Sequence, residues 1–189
     1  ELLYNFAICC SRTGNHKKCV SVLKILLDKV GRFIDRDNVY RLIIFSLIQL
    51  HEYNEALDIT DERLKINIGD LKLLSFRAHI MEKLHRIDEA IQIHKNILKL
   101  KPDYVNSLNS AGYLIATKPN PSQDEIAEAT DFLKQAVKQN PDSAAYLDSF
   151  GVLLQKRGEK QAAIRAFNKA IAANPAHSSV ILDHLQSLL

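Results

Sequence analysis

Seven histidines and three cysteines are the residues from which chemistry in this chain would start. A zinc site needs its ligands about 2 Å from one point, and on a helix two histidines reach one ion at a spacing of i and i+4. His51 and His85 are instead 34 residues apart, which places them in different helix layers about 8 to 10 Å apart. They cannot share an ion. His16, His51 and His85 are expected in exposed turns between helices, and His94 as a partly buried filler. Cys9, Cys10 and Cys19 form an odd set crowded into one helical segment and the next, which is no disulfide framework. They are expected to be small buried hydrophobes. The chain has no HExxH, no GxSxG and no glycine-rich phosphate loop. The acidic run "SQDEIAEATD" reads as a helix start, where negative charge favours the dipole. No metal and no cofactor are expected, and catalysis would belong to sequence outside these residues.

Composition narrows the partner. The chain is 189 residues long, 47% apolar and 25% charged, enough to bury a core and unlike a disordered segment. A formal net charge of +3, from 25 basic and 22 acidic side chains, makes neither nucleic acid nor an anionic membrane an obligatory partner. Residues 11 to 41 are locally basic, with eight basic and three acidic residues. The reading taken is a solvated helix face, the alternative an anionic docking patch. "VYRLIIFSLIQL" is broken by Arg41 and Gln49 and falls short of the roughly 18 apolar residues of a membrane span. No signal-peptide pattern is present. The opening "ELLYNF" starts in the middle of a pattern, so the chain is expected to be part of a longer protein. A cytoplasmic and a bacterial envelope location both stay open.

The elements that would position any site show themselves by repetition. "EAIQIHKNILKLKP", "EATDFLKQAVKQNP" and "AAIRAFNKAIAANP", at residues 89 to 102, 128 to 141 and 162 to 175, are one helix ending written three times. Ala56 to Ala90, Ala129 to Ala163 and Pro141 to Pro175 are each 34 residues apart, while Pro102 to Pro141 is 39, an insertion of five. A period near 34 marks an array of helix-turn-helix repeats. The best copy, residues 144 to 177, carries Leu147, Phe150, Gly151 and Leu154 on its first helix. Ala163, Phe167 and Ala170 lie on its second, with Pro175 after it. Small side chains there let neighbouring helices approach closely, and the large ones fill the grooves. Ser122 to Glu125 has the spacing of a capping box that restarts a helix after the insertion. Asp70, Asp103 and Asp142 are expected to cap the helices that follow them.

These offsets resemble the tetratricopeptide repeat family. The resemblance runs through repeats at about 1–36, 37–70, 71–104, 105–143 and 144–177, strong at the end and loose at the start. It implies one all-α, right-handed solenoid of about five repeats. Residues 178 to 189, with Ile181, Leu185 and Leu188 on one side, read as a capping helix; the alternative is the first half of another repeat. A softer resemblance, carried by Asn109, Gly112, Tyr113 and "YLDSFG", is to bacterial envelope-associated members of the family.

What the family resemblance implies is binding of a peptide or partner protein in a groove lined by the first helix of each repeat. At the groove positions the chain places Arg41, Phe45, Ile48, Lys72, Phe76, His79, Glu82, Asn106, Asn109, Tyr113, Asp148 and Gln155. Tyr4, Ile8 and Leu42 extend the apolar first half, Ser110 and Ser149 the polar second half. The asparagines that clamp a chaperone C-terminus are missing, since the matching positions hold Ile8, Phe45, His79, Tyr113 and Val152. The expected function is a protein-interaction scaffold. The alternative is assembly into a homo-oligomer through the apolar N-terminal repeats, or a regulatory interaction domain of a larger protein.

Overall fold

The computed structural model describes residues 2–29 and 35–188. All regular structure among them is helical: α1 (Leu2–Arg12), α2 (His16–Lys29), α3 (Arg36–Gln49), α4 (Tyr53–Ile66), α5 (Leu71–Lys83), α6 (Ile87–Leu100), α7 (Val105–Thr117), α8 (Gln123–Gln139), α9 (Ala144–Lys156), α10 (Lys160–Ala173) and α11 (Ser179–Gln186). A 3-10 turn, Pro175–His177, precedes α11. The chain divides into two compact units, Glu1–Arg86 and Ile87–Leu189, and the boundary falls inside the third expected repeat. In the first unit α1 packs on α2 and α3, and α3 on α4 and α5. In the second α7 packs on α6, α8 and α9, while α10 packs on α9 and α11.

Local sequence explains these helices. On α6, Ala90, Ile93, His94, Ile97 and Leu98 are buried while Gln92, Asn96 and Lys99 face solvent, the 3.6-residue stripe of an amphipathic helix. α1, α3, α5 and α9 end on the same closure. Gly14, His51, His85 and Gly158 sit at φ of 77°, 60°, 59° and 77°, and the following N–H reaches back to the carbonyls of Cys10, Leu47, Met81 and Leu154 at 2.8 to 2.9 Å. This left-handed turn is a Schellman-type stop, usually taken by glycine; at two of the four places a histidine adopts it. Both histidines are exposed there.

Close packing follows the expected small positions. Ala56, Ala90, Ala129 and Ala163 are each 0% exposed. A Cβ at Gly112 would stand 2.5 Å from Leu133 Cγ, and one at Gly151 2.5 Å from the Phe167 ring, so these glycines admit the side chain of the second helix. Ala163→Leu is accordingly expected to destabilise by about 1–3 kcal/mol through overpacking, measured as a lower denaturant midpoint at unchanged slope. An unchanged midpoint would mean that Ala163 is not at a packing position.

Capping differs in part from expectation. Ser122 and Glu125 form the capping box on α8, and Asp70 caps α5 by accepting from the amides of Lys72 and Leu73. Asp103 and Asp142 do not cap: α7 and α9 start after Tyr104 and Ser143, neither of which makes a side-chain cap bond. Asp35, at the head of α3, is a cap the sequence reading missed. Cys10 and Cys19 are buried as expected, but Cys9 is exposed, because neighbours on a helix point to different faces. Ser46 donates to Cys19 Sγ at 3.3 Å, and burial pushes that thiol above its ordinary pKa.

Candidate functional site

The expected groove residues lie on α3 and α5 in the first unit and on α7 and α9 in the second. On α3, Arg41 donates to Asp70 and, at 3.1 Å, to Asn38 Oδ1. The two bonds tie the head of α3 to the cap of α5. The Asp70 carboxyl feels burial, which raises its pKa, but the hydrogen bonds from Arg41 and from the Leu73 and Lys72 amides outweigh it and hold it below its ordinary value. Phe45, one turn further, keeps 39% of its surface exposed and meets the edge of the His16 ring at 5.9 Å. Ile48 is 5% exposed and belongs to the core, which corrects its place among the groove residues. α3 is apolar around most of its circumference, so its next turn inward is covered by neighbouring helices.

On α5, Lys72 is exposed and Phe76 is half-buried against the core of the first unit. His79 and Glu82 stand 3.7 Å apart, and the nearby His79 ring, with Lys83 beside it, keeps the Glu82 carboxyl below its ordinary pKa despite burial. On α7, Asn106 accepts from the Tyr146 hydroxyl at 2.9 Å, a bond that joins α7 to α9. Asn109 Oδ1 is buried with no hydrogen-bond partner among the described residues, and Tyr113, one turn on, is half-buried. On α9, Asp148 binds His184 Nδ1 at 2.8 Å, and Gln155 donates to Ser187 at 3.0 Å. Both partners lie at or just beyond α11, whose Ile181 is buried; Leu185 of α11 and Leu188 after it pack on the core of α9 and α10.

Most charged groups of the expected groove are therefore matched inside the chain. The sequence showed their types but not Asp70, Tyr146, His184 and Ser187 as their partners, because each lies 29 to 40 residues away. That spacing is near one repeat and is the signal that could have found them. His94 is buried more deeply than expected, 6% exposed, with Nδ1 3.0 Å from Ser107 Oγ. Among the described residues no three His, Cys, Asp or Glu side chains are placed to hold a metal ion, and no helix is long and apolar enough to cross a membrane. What remains on these faces is aromatic area and amide groups, which is chemistry for recognition.

Comparison with known proteins agrees with the helical hairpins. The tetratricopeptide repeat family matches residues 144–177. A TPR repeat-containing protein of Pseudomonas aeruginosa is 28% identical over 139 residues, which is 74% of this chain and 23% of that protein. The chain thus spans less than a quarter of that relative's length. A tetratricopeptide repeat protein of Parabacteroides merdae superposes with a TM-score of 0.77 at 17% identity, covering 98% of this chain and 70% of the other. YrrB, a TPR protein with an unusual peptide-binding site, superposes with a TM-score of 0.66 at 18% identity, covering 98% of this chain and 90% of its own. Residues 144–177 thus match a tetratricopeptide repeat outright, and nearly the whole chain has the fold of solved repeat proteins.

Proposed function

We propose that this chain is a protein-interaction scaffold that holds a segment of a partner against the first helices of its repeats. Each unit offers its own face: Phe45 and Phe76 in the first suit an apolar side chain, and Asn106, Asn109 and Tyr113 in the second suit a hydrogen-bonding stretch. The observation that carries the reading is the open recognition surface of these first helices, with Phe45 39% exposed and the Asn106 amide exposed on α7. Side-chain amides carry both donors and acceptors, which suits them to the backbone of an extended segment. The peptide-binding site of YrrB supports the class of ligand, on a related fold. Because Arg41, Glu82 and Asp148 already have partners, selectivity rests on shape and apolar anchoring, and salt has a modest effect. The scaffold fold supports a binding role without catalysis in this segment.

The test is capture of partners from a lysate by the chain. Replacing Asn109 and Tyr113 together by Ala is expected to weaken capture about tenfold, the scale of one or two lost anchoring contacts. Asp131→Ala, at an exposed position of α8, should leave it unchanged. Equal capture by the double variant, with loss only in the α8 variant, would move the binding surface to the second helices.

A further inference from the structure

Where α6 meets α7, the junction is closed. Leu98 and Leu108 are 9% and 1% exposed, and Tyr104 packs against them. The residues one repeat of 34 earlier are Leu64, Leu74 and Asp70, and there the junction is open. Asp70 supplies no aromatic cover, because its carboxylate caps α5 and binds Arg41. Ile68 stands where the later repeat has Pro102, and it is 78% exposed. The result is a cleft of about 590 Å³ between the end of α4 and α5, lined by Asp61, Leu64, Lys65, Ile68, Leu74 and Arg77.

The rim has a sign. Arg77 Nε binds Asp61 at 2.7 Å, and Lys65 is exposed and makes no ion pair among the described residues. Two cations therefore face one carboxylate around an apolar floor made of Leu64 and Leu74. Ile66, beside them in the chain, is 70% exposed as well. Solvated apolar side chains gathered at an open cleft mark an interaction site, and the unmatched cation selects an anionic group beside the apolar one.

We infer that this cleft is a second binding site, for a peptide segment that seats an apolar side chain on Leu64, Leu74 and Ile68 and a neighbouring carboxylate between Lys65 and Arg77. It is separate from the surface formed by Phe45 and Phe76 and does not depend on it. The same fold elsewhere shows what closes such a junction: an aromatic side chain in the position of Tyr104. An incoming side chain takes that place here.

The experiment uses a short fluorescein-labelled peptide alternating leucine and glutamate, read by fluorescence anisotropy and by amide shifts of the isotope-labelled chain. Shifts are expected at Leu64, Lys65, Ile68, Leu74 and Arg77. Binding should fall about tenfold or more in Ile68→Asp and in Lys65→Glu, each at an exposed position and checked for unchanged helicity, while Phe45→Glu leaves it intact. Peptides with lysine in place of glutamate, or serine in place of leucine, should bind more weakly by a similar factor. Equal binding of the lysine peptide, loss confined to Phe45→Glu, or binding that survives both cleft variants would overturn the inference. So would sedimentation showing that the cleft joins two copies of the chain, with a dimer that Ile68→Asp abolishes and no peptide binding.

Discussion

Phe167→Ala is expected to lower the unfolding free energy by about 3–5 kcal/mol, the range for a buried aromatic truncated in a packed core. Phe167 is 0% exposed and holds together α9, α10 and α11, with its ring against Gly151 on one side and 5.7 Å from the His184 ring on another. Gly151 tests the reason. Alanine is the better helix former by about 1 kcal/mol, yet its Cβ would lie 2.5 to 2.9 Å from three atoms of a ring that has nowhere to go. Gly151→Ala should therefore destabilise the wild type by about 1–3 kcal/mol and become neutral or stabilising once Phe167 is Ala. Denaturant unfolding of the four variants of this cycle measures the coupling. Strictly additive effects would show that the glycine does not serve the ring.

Asp70→Ala is expected to cost about 2–4 kcal/mol. It removes a helix cap worth about 1 kcal/mol and leaves the half-buried Arg41 without its carboxylate, a loss of comparable or larger size. Asn at 70 keeps an acceptor for the Lys72 and Leu73 amides, so Asp70→Asn should lose only the charge-dependent share. The acid side of the stability curve carries the same information. The folded Asp70 carboxyl is held below its ordinary value of 3.8, so its contribution is complete above that value and disappears as pH falls through the lower folded one. Wild type and Asp70→Asn should thus converge in stability as pH is lowered from about 5 to about 2. A constant gap across that window would rule out the charged pair as the source.

The sequence carried the hairpins because their packing rests on residue size at a fixed period. Ala56, Ala90, Ala129 and Ala163 are fully buried where the period put them, and Ser122 and Glu125 cap α8 as their spacing required. The aspartates after a proline do not cap because the N-cap positions of α7 and α9 fall one residue later, at Tyr104 and Ser143. The exposed or buried state of Phe45 and Ile48 was also beyond a positional rule. They are three residues apart on one helix, but the rule assumes one open face and α3 is enclosed around most of its girth. The pairing of Asp148 with His184 needed the three-dimensional neighbour, since nothing within α9 marks Asp148 as taken.

The junction between α7 and α8 is the place where this chain has changed its length. It lacks the left-handed stop shared by α1, α3, α5 and α9; Lys118 leaves α7 in an extended conformation, and Asn120 turns at φ 47°. The inserted stretch ends at its own restart signal, with Ser122 and Glu125 capping each other and Lys118 binding Glu125 at 2.6 Å across the loop. A duplicated hairpin inherits its turn from its ancestor, and a longer turn breaks that inheritance unless it can begin the next helix unaided. Here the instruction to begin travels with the insert. Evolution can therefore lengthen or shorten this loop while the packed alanines on either side keep their register, which makes it a site where a grafted segment would disturb the array least.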